Sequence, residues 1–431
     1  MRVRAPGFAG IIGVAAADIT PPVGIAMRNW GAQTHEVSTG NMGTLGATVW
    51  TIQDAPDVPP LILAALDLGW WRVREDEWFV REPLVALAGD EARVVINLCH
   101  THSGPSITRQ DGGLVPGYLA MVRERLAEAA RRALAEARER TLDFVLLRHP
   151  FAANRDLRVG GRFAVGYNPQ APADDVAIVG TVYEDGAARS TLVNLALHPT
   201  MIGPANTRVS ADFVASLREA RDPHEPLLFL QGASGDLAPR LNYQRDGAAA
   251  HDLGTGLALF VEAAAYAEPT SLELVEVVDS GAPLAVWQKV EEVPRRTVGA
   301  KLLKVPLALK ISSDAEGDDG PARERRSRQE MVRRWVGGGE SFDLPVGVWQ
   351  VGDASFVATP AEAYSLLQIE LRRRFPERIV LVSNVSNGWV GYLPTQKMYD
   401  EDVYSVNQTP FARGSLEALI EACAREIETH G

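Results

Sequence analysis

The sequence predicts an α/β fold of layered, mixed sheets with helices. Three observations carry that expectation. Short Val/Ile/Leu-rich runs bounded by Gly and Pro recur along the chain, segments of helical periodicity alternate with them, and unusual polar residues gather just past the ends of the runs.

The opening stretch MRVRAPGFAGIIGVAAADITPPVG reads as a first strand and turn. Its apolar part is broken by Gly and Ala and runs into Asp18 and Pro21-Pro22, which argues against a signal peptide. Strands are expected at 61–66, 94–98, 144–147, 191–197, 227–230, 346–351 and 379–382, with little polar alternation, as in strands buried on both faces. Apolar residues every three to four positions predict a helix over 118–140, and further helices at 211–221, 251–266, 361–375 and 414–428. The region 285–345 reads as an insertion. It holds an acidic loop, SSDAEGDDG at 312–320, followed by a basic surface helix over 322–335. The loop's spacing does not fit an EF-hand, so a solvated loop is the simpler reading. With no repeats and no low-complexity linker, residues 1–431 are expected to form a single domain.

Charge and cysteine content narrow the function classes. The formal net charge is 43 minus 55, or −12, which argues against a nucleic-acid surface and an anionic membrane partner. The two cysteines, Cys99 and Cys423, provide no disulfide framework, and no run approaches eighteen apolar residues. A reduced, cytoplasmic protein without stable membrane insertion is expected.

Five strand ends carry the residues that could do chemistry. The run 94–98 leads into His100 and His102, 191–197 into His198, and 227–230 into Gln231-Gly-Ala-Ser-Gly-Asp236. The run 346–351 leads to Thr359-Pro-Ala-Glu362, and 379–382 leads toward Tyr392. Ligands of open α/β sheets bind beyond the carboxyl ends of strands, so these ends describe one site. Each residue also has a plain structural reading. Residues i and i+2 of an extended segment face one side, so His100 and His102 can share a metal or be hydrogen-bonded loop histidines. His198 can be a satisfied core histidine, and Tyr392 can be packing. Thr359-x-x-Glu362 with Pro360 has the form of a capping box. Asp236 is a candidate to fix a histidine tautomer. His35, His149, His224 and His251 have no partners in sequence and read as structural.

At Asn97-Leu-Cys-His-Thr-His-Ser-Gly-Pro105 the chain resembles the neutral/alkaline, non-lysosomal ceramidase family. Further matches follow in order: GVAAADITPPVG, Asn154-Arg155, His198-Pro-Thr200, Gly235-Asp236-Leu-Ala-Pro239, Pro360-Ala-Glu362 and Gly391-Tyr392. The resemblance implies a ceramidase-like catalytic domain with one zinc ion held by His100, His198, Glu362 and Tyr392. It further implies that His102 moves protons and Arg155 helps bind substrate, with Tyr392 counted among the catalytic residues as well as the ligands. Zinc-activated water would then attack an amide carbonyl. The family's serine falls at Gly232, with Ser234 displaced by two residues, and a second family tyrosine falls at Phe411. The family's C-terminal immunoglobulin-like domain has no counterpart in these residues. These departures point to a small-molecule amide or lipid-like substrate smaller or more soluble than ceramide. A zinc esterase or lactonase, or a catalytically silent ligand-binding relative, are the alternatives.

Overall fold

The computed structural model describes residues 1–3, 5–267, 270–310 and 320–429. Apart from Gly320, the acidic loop read at 312–320 lies outside them. Eight strands form the large sheet, in the order Leu227–Gln231, Ala187–Leu195, Val176–Glu184, Arg138–Arg148, Gly7–Asp18, Gly46–Gln53, Leu61–Leu66 and Val94–Leu98. The outermost pair at each end is parallel and the strands between are antiparallel. A second sheet of four strands, Val298–Ala308, Ser341–Val351, Ala354–Ala358 and Ile379–Ser383, also ends in a parallel pair. The fold is therefore mixed and layered α/β.

Two cores hold the layers together. Phe8, Ile12, Trp50, Phe144, Trp349, Phe356 and Leu381 belong to an apolar layer shared by the two sheets. The other core packs helices such as Arg74–Ala88 and Val115–Ala135 on the large sheet, with Leu367, Leu371, Leu419 and Ile420 covering the small one. The strands 61–66, 94–98, 227–231 and 379–383 are buried at every position, which is why their sequences lack alternation.

The differences from expectation have local causes. The helix expected over 118–140 spans Val115–Ala135, because Arg138–Arg148 is claimed as a strand by Gly7–Asp18. Arg140 donates to the Ile12 carbonyl at 2.7 Å and pairs with Glu184 at 2.9 Å. The helix expected over 361–375 begins only at Leu366, because Glu362–Ala363 pairs with Tyr392–Leu393. The region read as an insertion contributes the strand Val298–Ala308 to the second sheet, and its helix spans Gly320–Val336. That helix is not wholly a surface element: Val332, Trp335 and Val336 are buried in the core.

Side-chain amides join the strand ends. Asn97 accepts from the Gln231 N–H at 3.0 Å and donates to the Asn384 carbonyl at 2.6 Å. Asn194 donates to Val382 O at 2.8 Å, and Asn387 both accepts from Ile96 N at 2.8 Å and donates to Val94 O at 2.7 Å. These bonds bring the carboxyl ends of strands from both sheets to one place.

Candidate metal centre and active site

His100 leaves the strand Val94–Leu98 with φ of 69°, a left-handed conformation that a non-glycine residue adopts at a cost of about 1–3 kcal/mol. The bend turns its ring inward. Its Nδ1 faces the Gly69 carbonyl at 3.3 Å, and Nδ1 of His198 faces the Ser234 carbonyl at 3.4 Å. A carbonyl at Nδ1 fixes that nitrogen as the N–H, so each Nε2 presents a lone pair. Both lone pairs converge on Glu362: Oε2 lies 3.3 Å from His100 Nε2 and 3.9 Å from His198 Nε2. Neither His100 Nε2 nor Glu362 Oε2 has a hydrogen bond, although both are buried. A close approach without bonding geometry is what donors aimed at a common point would show. His102 joins them, its Nε2 3.3 Å from that of His198 and its Nδ1 without a partner. The three histidines offer ligand atoms within 4.8 Å of one another.

Glu362 is not a capping residue. It lies in the two-residue strand Glu362–Ala363, whose parallel partner places Tyr392 directly beside it. The Trp389 indole donates to Glu362 Oε1 at 2.8 Å, and Tyr392 lies directly across the strand pair from the same residue. Arg155 donates to the Tyr392 oxygen at 3.0 Å and to the Gly235 carbonyl at 2.9 Å. Burial alone would push the Glu362 carboxyl up. His100, Arg155 and Tyr392 overcome it and hold the group down at about 2. Burial drives His102 and His198 well below the usual histidine range, with neighbouring cations adding to the effect, so both are neutral. Burial and Glu362 raise Tyr392 well above the usual phenol range against the pull of Arg155.

Aromatic rings wall the site. Trp70 packs edge-on against His100 at 5.4 Å and tilted against His102 at 5.0 Å, while Trp30 lies 4.5 Å from His102. Beyond them opens a cleft of about 370 Å³, whose lining includes Trp30, His102, Arg155, Tyr243, Tyr392 and Tyr404. Trp30, Tyr243 and Tyr404 sit outside any periodic pattern that sequence reading could have used.

No family model matches the chain, and no curated protein matches it by sequence. Solved structures do. The crystal structure of neutral ceramidase from Pseudomonas aeruginosa gives a TM-score of 0.72 at 17% identity, covering 98% of this chain and 74% of that one. The fold is that of neutral ceramidase. A ceramidase complexed with C2 gives 0.69 at 16% identity, with the same coverage of 98% and 74%.

Within the ceramidase-like fold, the positions that depart from the family motifs have physical explanations. A Cβ on Gly232 would meet the backbone of Ala196 at 2.7 Å and of Leu195 at 2.9 Å, so this backbone admits no serine there without moving a strand end. Gly232→Ala is expected to cost about 1–3 kcal/mol through that overlap, read as a lowered melting temperature. A Cβ on Gly235 would meet the carbonyl oxygen of Glu362 at 2.6 Å, which ties the Gly-Asp motif to the approach of the Glu362 strand. Ser234 is buried, and its hydroxyl bonds the Gln231 amide. Turned so that its NH₂ donates to Cys99 O at 3.0 Å and Leu197 O at 3.1 Å, that amide links three strand ends. Phe411 is fully buried against Phe342, whereas the phenol of Tyr404 lies beside Tyr392 at 5.7 Å.

Asp236 does not touch a histidine, contrary to expectation. Its carboxylate accepts from the Ser365 N–H at 2.7 Å and hydroxyl at 2.9 Å, just ahead of the helix Leu366–Arg374. The His198 tautomer is set by a carbonyl instead. Burial raises the Asp236 carboxyl to about 6 despite those bonds. Between about pH 4 and 6 the unfolded chain therefore ionises Asp236 while the folded chain holds its proton, and wild-type stability falls. Relative to Asp236→Asn, denaturant titrations are expected to show a wild-type loss on the order of 2–3 kcal/mol across that window and a constant difference above it.

Proposed function

We propose that the chain is a zinc-dependent hydrolase that cleaves an amide bond in a substrate smaller or more soluble than ceramide. The observation that carries this reading is the convergence of His100 Nε2, His198 Nε2 and Glu362 Oε2, two of them buried without hydrogen bonds, behind the His102 and Tyr392 that line an aromatic cleft. Two imidazoles and a carboxylate are the donors that a catalytic zinc site uses, and Tyr392 beside Glu362 would add a fourth donor. When bound, zinc supplies Lewis-acid polarisation of a carbonyl and acidifies water.

The remaining steps belong to the side chains. Arg155 and Tyr392, bonded to each other, point donors into the cleft where the substrate carbonyl must sit. His102 lines the same cleft, neutral and with Nδ1 unpartnered, so it can take a proton from attacking water and return it to the leaving nitrogen. A cleft of about 370 Å³ stands at the small end of small-molecule sites, which suits a modest amide.

The test is a panel of soluble amides and matched esters with the zinc-loaded protein. Amide turnover supports the reading, and turnover of esters alone replaces it with an esterase. His102→Ala is expected to keep about one zinc per chain while losing about 10²–10⁴-fold in kcat. Loss of zinc in that variant would instead make His102 a ligand. Ser234→Ala is expected to retain most activity; if it is inactive, a serine nucleophile returns.

A further inference from the structure

The helix Gly320–Val336 forms one side of the cleft and presents Glu324, Arg325 and Arg328 to it. With Arg155 at the floor, the lining holds three guanidinium groups against one carboxylate outside the metal centre. That bias runs opposite to the chain's formal net charge of −12. A smaller cavity of about 100 Å³ beside it adds Arg28 and Arg72, which pair with Glu36 and, at 3.7 Å, Asp111.

The three cleft arginines are not equivalent. Arg155 is committed to Gly235 and Tyr392. Arg328 is committed to Glu324 at 2.7 Å, the Asn29 carbonyl at 3.2 Å and the Tyr404 hydroxyl at 3.3 Å, with its guanidinium over the Trp70 ring at 6.0 Å. Arg325 makes no hydrogen bond or ion pair among the described residues. The nearest carboxylate on the helix, Glu324, is already taken by Arg328. A half-buried guanidinium facing an aromatic cleft gains most from a carboxylate, which it can grip with two parallel N–H bonds.

We propose that the substrate amide carries a carboxylate away from its scissile bond and that Arg325 is the residue that reads it. The inference rests on the amide-hydrolase reading and deepens it, from an amide in general to an acidic amide. A neutral amide offers Arg325 no anion, and an amide carrying a cation meets three like charges. The apolar remainder of the substrate lies against Trp30, Val165, Pro204 and Tyr243.

The test uses two matched pairs with the zinc-loaded protein. N-hexanoylglycine against N-hexanoylglycinamide, followed by hexanoate release, places the charge on the amine side. N-hexylsuccinamic acid against N-hexylsuccinamide, followed by hexylamine release, places it on the acyl side. Wild type is expected to prefer the acid of at least one pair by about tenfold in kcat/KM, mostly through KM. Raising the salt concentration is expected to shrink the preference. Arg325→Gln is expected to bring the acid-to-neutral ratio close to one, and Arg325→Lys to retain part of it. No preference for an acid in either pair, or a ratio unchanged in Arg325→Gln, overturns the proposal. If none of the four compounds is hydrolysed, the amidase reading fails on its own. Quenching of tryptophan fluorescence by the same compounds, with Trp30 in the cleft, then still decides whether the acid binds more tightly through Arg325.

Discussion

His198→Ala is expected to reduce bound zinc from about one ion per chain to none and to abolish amide hydrolysis, by 10³-fold or more on the general scale of losing a catalytic metal. His198 is fully buried, its ring is oriented by the Ser234 carbonyl, and its Nε2 faces Glu362. Alanine removes one of two imidazoles whose tautomers are preset for coordination, and no other described histidine apart from His102 comes near enough to replace it. His100→Ala is expected to behave alike. Elemental analysis of protein reconstituted with excess zinc and desalted reads the result. If His198 were only a core histidine, the variant would melt earlier yet hold as much metal as wild type.

Glu362→Gln separates the two meanings of one carboxylate. A capping residue contributes about 1 kcal/mol to stability and nothing to metal affinity. Glu362 lies in a strand beside Tyr392 and ahead of the helix, so its ionised oxygen is available to His100, His198 and an ion between them. Glutamine keeps the size of the side chain and an oxygen for the Trp389 indole, but removes the charge that is held on down to about pH 2. Zinc affinity is expected to fall at least 10²-fold, on the scale of lost ligands and their supports. Competition with a chromogenic chelator measures it. Unchanged affinity with a lower melting temperature would return Glu362 to a structural role.

Most of the layered fold is legible in the sequence, because strands buried on both faces leave uninterrupted Val/Ile/Leu runs and amphipathic helices leave their period. His100, His102 and His198 are legible for a related reason: each follows such a run. Glu362 is ambiguous, since Thr-Pro-Ala-Glu is the same string whether it caps a helix or pairs with a strand. Only the distant partner Tyr392 decides. The charge-rich helix Gly320–Val336 reads as surface because a pattern of charges cannot tell bulk water from a cleft. Arg325 and Arg328 are the residues that reading missed. The aromatic walls Trp30, Tyr243 and Tyr404 come from segments whose spacing carries no period. Asp236 shows the limit of motif reasoning, since its carboxylate seats Ser365 and a main-chain oxygen orients His198.

The Asn97 amide bears on how slowly the centre can come apart. Its bonds to Gln231 and Asn384 join strands of two different sheets, and Asn387 repeats the link at Ile96. Each of these strands lies at the edge of its sheet, and none can peel away without breaking both its own ladder and the bonds across the seam. The amide protons of Ile96, Gln231 and Asn384 therefore belong to the slowest-exchanging set, released only when the whole chain opens. Once captured, an ion between His100 and His198 would have a residence time set by global unfolding and ligand exchange through the cleft, with no faster route through local breathing.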